Sequence, residues 1–129
     1  MRLLVCGSRD WGDKEIIHTV LEGFAARHDL KRVIAGGAPG ADTLAFDWAY
    51  EKDIHWVFPA DWKKYGKAAG PRRNQQMLDQ GKPDMVLAFK DGFDYDWEWG
   101  VESASGHGTE DMVLRAKQAG VPVYVIERA

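Results

Sequence analysis

The sequence has few of the features that mark secreted, membrane or nucleic-acid-binding proteins. Cys6 is the single cysteine among 129 residues, which excludes an internal disulfide and favours a reducing, cytoplasmic compartment. The net charge of −3 gives no overall basic field for a nucleic-acid backbone. No apolar run is long enough to span a membrane, and the opening MRLLVCGSRD is too short for a signal-peptide core. The histidines lack metal-ligand spacing, so no metal and no other cofactor is predicted.

Short apolar runs alternate with amphipathic helical stripes along the whole chain. The length predicts a single domain, residues 1–129. Helices are predicted after Asp13 (a suitable N-cap), after the GGAPGAD loop, near 72–80 and from Thr109 to Ala119, and strands at 2–6, 32–36, 55–60, 85–90 and 121–126. This alternation predicts an α/β fold: a three-layer, doubly wound, Rossmann-like domain whose five-stranded parallel sheet has the order 3-2-1-4-5.

Four glycine-rich or basic loops fall at one edge of this predicted sheet. In doubly wound sheets, ligands bind beyond the carboxyl ends of the strands, where the strand order reverses. The loops that reach this edge are GSRDWGD, GGAPGAD, ADWKKYGKAAGPRRN and GHGTEDM. Their convergence predicts an anion-binding rim between the first and fourth strands.

The loop GGAPGAD has the composition of a phosphate-binding turn. Gly36, Gly37 and Gly40 permit positive φ and close approach to the main chain, and a helix follows with unpaired N–H groups. A tight turn without a ligand fits the same glycines. Asp42 would repel a phosphate at this helix start, so it is expected to pair with an arginine or a ribose hydroxyl, or to act as a first-turn acid favoured by the helix dipole.

The loop after the first strand offers a second set of polar groups. Gly7 lets a ligand approach the backbone, Ser8 supplies a hydroxyl, and Arg9 has a guanidinium suited to phosphate or carboxylate. A surface loop with a weak Arg9–Asp10 pair is the simpler alternative.

Two helix starts complete the predicted rim. Arg72 and Arg73 are predicted to open a short helix with Asn74 beside them, where a cation is unfavourable unless an anion satisfies it. Gly108 and Thr109 open the last helix, where the hydroxyl can cap the helix or bind a second phosphate. A solvated basic pair and an ordinary capped helix are the corresponding structural alternatives.

Four motifs, in their order and spacing, resemble the YspA-type branch of the SLOG superfamily over nearly the whole chain. They are GSRDW..D, GGAPGAD..A..WA, ADW..YG..AGP.RN..M and GT.DM...A...G.PV. Relatives in that superfamily include the LOG phosphoribohydrolases, DprA-type proteins and sensor domains of bacterial defence systems. The resemblance implies a Rossmann-like fold, a nucleotide-like small-molecule ligand, and a pocket lined by Gly7, Ser8, Arg9, Gly36, Gly37, Gly40, Asp42, Arg73, Asn74, Gly108 and Thr109.

One family motif is only half present. LOG enzymes carry G-G-x-G-T-x-x-E, whose glutamate serves in glycosidic cleavage, and Met112 stands at that position here. The LOG arginine four residues before a methionine has its counterpart in Arg73 and Met77. The resemblance therefore implies phosphate binding without the acid–base group, and phosphoribohydrolase activity is not expected.

The segment FDYDWEW alternates aromatic and acidic residues, a period typical of a strand. Its rings can pack on their own domain, stack on a base as a lid, or form a subunit contact. Because these aromatics are costly to leave in water, homo-oligomerisation is predicted through Phe93, Tyr95, Trp97 and Trp99.

Three functions are compatible with these patterns. The first is binding of a nucleotide or nucleotide-derived molecule, ADP-ribose-like or cyclic, as a sensor or sequestering protein. The second is a hydrolase acting on an N-glycosidic or phosphate bond, with carboxylates available at Asp10, Asp42, Asp61 and Glu110. The third, single-stranded DNA binding, is disfavoured by the acidic net charge.

Overall fold

The apolar runs of the sequence form one parallel sheet in a computed structural model that describes residues 1–91 and 107–128. Its strands are β1 (Arg2–Gly7), β2 (Arg32–Ala35), β3 (His55–Val57), β4 (Met85–Asp91) and β5 (Val123–Arg128). The order β3-β2-β1-β4-β5 confirms the predicted doubly wound, Rossmann-like α/β architecture. Every pairing is parallel, and β1 pairs with both β2 and β4, where the order reverses.

Helices cover both faces of the sheet because successive β1 residues point to opposite sides. The helices are α1 (Lys14–Arg27), α2 (Ala41–Glu51), the short α3 (Trp62–Tyr65), α4 (Ala69–Gly81) and α5 (His107–Gln118), with a 3-10 turn at Gly66–Ala68. Leu3 and Val5 pack in one apolar cluster with α1 and α2, while Leu4 and Cys6 pack in a second cluster with α4 and α5. None of the helices within the described ranges is long and apolar enough to cross a membrane.

Local signals account for several helix ends. The Asp13 carboxylate caps α1 by accepting a hydrogen bond from the main-chain N of Ile16 at 3.2 Å. Gly120, which follows α5, has φ +77, the left-handed conformation that ends helices at glycine. The cap at Asp13 confirms the sequence prediction.

Several predicted boundaries were wrong. The helix expected near 72–80 begins at Ala69, so Arg73 lies in its second turn rather than at its start. The third strand ends at Val57, and the last strand runs from Val123 to Arg128, two residues later than expected. The aromatic and acidic segment with Phe93, Tyr95, Trp97 and Trp99 lies outside the described residues.

Candidate functional site

Buried polar side chains gather at the carboxyl edge of the sheet. Within the described ranges, the buried polar and charged side chains are those of Ser8, Asp42, Arg73, Asn74 and Thr109. Ser8 follows β1, Asp42 lies in the first turn of α2, Arg73 and Asn74 lie in the second turn of α4, and Thr109 lies in the first turn of α5. All five are among the predicted site residues. Since burying polar groups is costly unless they are paired, the bonds that hold them define this site.

Arg73 is the charged centre of the cluster. Its Nη1 donates to the main-chain oxygen of Gly36, and its Nε donates to Asn74 Oδ1 at 3.0 Å. Its Nη2 donates to none of the described residues. Burial lowers the pKa of Arg73 and the Asp42 carboxylate opposes that shift, but a guanidinium keeps its proton at any physiological pH. A fixed positive charge therefore lies just below the protein surface.

The Asp42 carboxylate lies close to Arg73. Its Oδ2 accepts a hydrogen bond from the main-chain N of Ala38 at 3.3 Å. Burial raises the pKa of Asp42 to about 6, although Arg73 and main-chain hydrogen bonds at Ala38 and Gly36 favour the charged form. Part of the main chain expected to hold a phosphate therefore already binds the protein's own carboxylate.

The loop glycines serve different purposes. Gly37 is exposed at φ +77, and a Cβ there would have Val57 Cγ1 at 3.5 Å as its nearest neighbour, so its main chain is open to an approaching group. Gly40 has φ +81, and a Cβ there would lie 2.5 Å from the Arg9 oxygen. Gly40 thus lets the loop after β2 touch the loop after β1, and only Gly37 presents an open backbone.

The loop after β1 is partly structural. A Cβ at Gly7 would lie 2.6 Å from Ala41 Cβ, so this glycine permits close packing of β1 against α2. The Ser8 amide donates to the Phe89 oxygen at 2.9 Å, and the Ser8 oxygen accepts from the Ala41 amide at 3.4 Å. Arg9 is exposed, and its side chain bonds to none of the described residues. In this loop, Arg9 is the cation that can reach a ligand.

Thr109 does not cap α5, so one of the two roles that the sequence predicts for its hydroxyl is wrong. The helix begins at His107, so Gly108 and Thr109 both lie inside its first turn. The Thr109 hydroxyl instead donates to the main-chain oxygen of Gly7 at 2.8 Å. This bond fixes the start of α5 against the end of β1. Because the hydroxyl proton is used in this bond, Thr109 cannot also donate it to a phosphate.

The sequence analysis did not predict the side-chain hydrogen-bond network that connects Arg73 to α5 through Asn74. Asn74 Nδ2 donates to Asp111 Oδ2 at 2.9 Å, and Arg115 Nε donates to the same oxygen at 2.8 Å. Arg115 Nη1 also donates to Gln75 Oε1 at 3.0 Å. The i,i+4 spacing of Asp111 and Arg115 is a recognisable helical pair, but its link to α4 depends on tertiary packing.

Two grooves within the described ranges lie away from this edge. One of about 290 Å³ runs along α1, and one of about 460 Å³ lies at the opposite end of the sheet beside Arg2 and Arg32. Neither borders the five buried polar side chains. These side chains also form no cluster of metal ligands, and no such cluster occurs elsewhere in the described ranges.

Residues 1–65 match the model of the YspA, cpYpsA-related SLOG family. This region contains β1 to β3 and the first two loops of the predicted rim. The chain belongs to this family. It is also 34% identical over 129 residues to the Gene 61 protein of Mycobacterium phage D29, a match that covers 95% of this chain and 93% of that protein. No solved structure gives a significant match.

Membership in the SLOG family confirms the resemblance drawn from the motifs. The matched region includes Gly7, Ser8, Arg9, Gly36, Gly37, Gly40 and Asp42. The remaining site residues, on α4 and α5, lie beyond it and reach the same edge through the fold.

Proposed function

We propose that this SLOG protein binds a nucleotide or nucleotide-derived small molecule at the carboxyl edge of its sheet, as a sensor or sequestering protein. The observation that carries the proposal is the buried Arg73 guanidinium, which is fixed by Gly36 and Asn74 while its Nη2 has no bond to the described chain. A pre-oriented guanidinium suits a phosphate, because the planar fork matches two phosphate oxygens.

The surroundings of Arg73 support a ligand with a phosphate and a polar body. Arg9 is an exposed cation on the adjoining loop, and Gly37 offers open main chain. Asp42 lies beside these groups as an acceptor for ribose hydroxyls, consistent with one of the roles predicted for it. The SLOG relationship favours nucleotide chemistry for such a site.

Binding is favoured over hydrolysis because of Met112. This residue stands where LOG enzymes carry their glutamate, and its side chain is fully buried in the apolar cluster under α4 and α5. A core methionine supplies no acid–base chemistry.

One observation nevertheless favours a hydrolase as the second candidate. The pKa of Asp42, raised to about 6 by burial, suits a group that exchanges protons near neutral pH. Asp61 is less suited, because its carboxylate caps α3 by accepting from the Lys64 amide at 3.1 Å.

A nucleotide panel separates the two functions. Purified protein is incubated with AMP, ADP, ADP-ribose and a cyclic dinucleotide, followed by native mass spectrometry and chromatography of the small molecules. Recovery of an intact bound ligand supports the binding function, and product formation that Asp42→Asn abolishes supports the hydrolase. Absence of any bound or converted nucleotide at millimolar concentration would rule out both.

A further inference from the structure

Positive charge is concentrated in one segment beside the proposed site. Residues 57–78 contain five basic side chains and one acidic side chain, although the whole chain has a net charge of −3. This segment follows β3 at the carboxyl edge and runs through α3 into α4. We call the side chains of Trp62, Lys63, Lys64, Tyr65, Lys67 and Arg72 the basic–aromatic surface.

The charge on this surface is not neutralised by the described chain. Lys63, Lys64, Lys67 and Arg72 are exposed and form no ion pair with any described residue. The one acidic residue of the segment, Asp61, has its carboxylate engaged at the N-cap of α3. The four cations lie on neighbouring turns and repel one another, and an anion that binds among them relieves this repulsion.

Two aromatic rings accompany the cations. The Trp62 side chain is 60% exposed and that of Tyr65 is 37% exposed. Arg72 Cζ lies 4.4 Å from the Tyr65 ring centroid and Lys64 Nζ lies 5.1 Å from it, so cations already cover this ring. Trp62 has no such partner in the described chain, and its exposed ring area is the kind of surface on which a nucleobase stacks.

The basic–aromatic surface adjoins the Arg73 site through α4. A Cβ at Gly70 would lie 3.4 Å from Trp62 Cη2, which places the indole against the first turn of this helix. Gly70 and Arg73 are three residues apart, so they share one face of α4. The exposed indole and the buried guanidinium are therefore neighbours along the same helix face.

We propose that the basic–aromatic surface is a second part of the nucleotide site, so that the ligand carries at least two phosphates and rests its base on Trp62. Arg73 holds the inner phosphate and Lys63 and Lys67 hold the outer one. This inference rests on the proposed function and narrows its ligand class to nucleoside diphosphates and larger diphosphate nucleotides. A long nucleic acid is disfavoured, because the chain outside this segment is strongly acidic.

Calorimetry on four proteins tests the inference. Each protein is titrated with AMP, ADP, pyrophosphate and an eight-nucleotide single-stranded DNA. The proteins are the unchanged chain, Lys63→Gln/Lys67→Gln, Trp62→Ala, and a matched control, Lys14→Gln/Lys82→Gln, which changes exposed lysines outside the surface. The four lysines are exposed, so both lysine variants should keep the melting temperature of the unchanged chain. Trp62→Ala loses the contact of the indole with Gly70, so unchanged pyrophosphate binding is the check that its Arg73 site is intact.

The unchanged chain should bind ADP at least tenfold more tightly than AMP. Lys63→Gln/Lys67→Gln should reduce the preference for ADP over AMP to below threefold and leave the affinity for AMP unchanged. The control variant should keep the full preference for ADP. Trp62→Ala should weaken AMP and ADP equally, about tenfold, without changing pyrophosphate binding.

Three outcomes overturn the inference. They are equal affinity of the unchanged chain for AMP and ADP, a lysine variant that keeps the full ratio, and DNA that binds more tightly than ADP on the same residues. If AMP binds the unchanged chain but ADP binds no better, only this inference fails. It also fails alone if neither AMP nor ADP binds while ADP-ribose or the cyclic dinucleotide does. If none of the four nucleotides binds, the proposed function fails with it.

Discussion

The guanidinium of Arg73 occupies the space that a side chain at position 36 would fill. A Cβ built on Gly36 would lie 2.6 Å from Arg73 Cζ, and Arg73 Nη1 donates to the Gly36 oxygen. The glycine after β2 is therefore needed by an arginine from α4, 37 residues further along the chain. This contact joins the glycine-rich loop after β2 to the basic second turn of α4.

Gly36→Ala should therefore damage both stability and binding. The added methyl group forces Arg73 out of its position, which combines overpacking with the loss of a buried hydrogen bond. We expect the free energy of unfolding to fall by about 2–4 kcal/mol. Urea denaturation measures this change, and nucleotide titration of the folded variant should show weaker binding.

Gly23→Ala is the matched control for this substitution. Gly23 lies inside α1, and a Cβ there would have no neighbour within 4 Å. Alanine is the better helix former, so this variant should gain about 0.5–1 kcal/mol. Equal stability of the two alanine variants would show that Arg73 is not held against Gly36.

Arg73→Ala should remove most of the nucleotide affinity. If its charge meets a buried phosphate, the loss amounts to roughly 2–4 kcal/mol, or about thirtyfold to a thousandfold in Kd. Arg27→Ala, which removes an exposed arginine from the last turn of α1, should leave Kd unchanged. An unchanged Kd for Arg73→Ala would exclude this residue from the site.

Asp42 should make stability depend on pH in an unusual direction for a carboxylate. Its pKa rises from an ordinary 3.8 to about 6 on folding, so between these values the folded protein binds more protons than the unfolded chain. The stability that this residue contributes is complete below pH 4 and is lost as the pH rises through 6. Since one pH unit corresponds to about 1.4 kcal/mol, the unchanged chain should gain about 2–3 kcal/mol relative to Asp42→Asn between pH 7 and pH 4.

Denaturation of the two proteins at several pH values measures this gain, because other titrating groups cancel in the difference. A stability difference that is independent of pH would mean that Asp42 titrates like an exposed aspartate. Protonation of Asp42 also removes a negative charge from the site, so a diphosphate nucleotide should bind more tightly at pH 5 than at pH 7.

The fold was predictable because its signals are local. Apolar runs such as RLLVC alternate with helical stripes, and the handedness of parallel crossovers leaves few sheet orders. The errors fall at element ends, where tertiary contacts decide. Ala69 and Gly70 belong to α4, and the Trp62 indole lies against Gly70, a contact that no periodicity reveals.

The location of these residues at one edge of the sheet was also predictable, but the contacts of each residue were not. Loop glycines identified the edge of the sheet, yet Gly36 makes room for Arg73 and Gly40 for the loop after β1. Thr109 binds Gly7 rather than capping its helix. These contacts depend on which atoms from distant segments meet, and this information is absent from a local motif.

Self-association through the aromatic segment remains a prediction from the sequence. Phe93, Tyr95, Trp97 and Trp99 alternate with acids, and removal of such rings from water favours a second copy as partner. Light scattering at micromolar concentration should give a mass above that of the 14.5 kDa monomer. Trp97→Ser/Trp99→Ser should lower this mass, and a monomeric unchanged chain would contradict the prediction.

Cys6 provides a probe of the site's rigidity. Its side chain is 6% exposed, and its pKa lies well above the ordinary thiol value because of burial and the nearby Asp42 carboxylate, with Arg73 opposing. The reactive thiolate is therefore rarely populated, and a thiol reagent reaches Cys6 only when local unfolding exposes it. An opening that costs about 3 kcal/mol would make thiol labelling roughly a hundredfold slower than in urea-unfolded protein.

A nucleotide that binds beside Arg73 should slow this labelling further, because a ligand of the folded state lowers the population of open forms. Labelling of Arg73→Ala should be insensitive to the same nucleotide, which separates protection by binding from an effect on the reagent. Labelling of the unchanged chain as fast as that of the unfolded chain would show that Cys6 is accessible and that the core beneath the site is not closed.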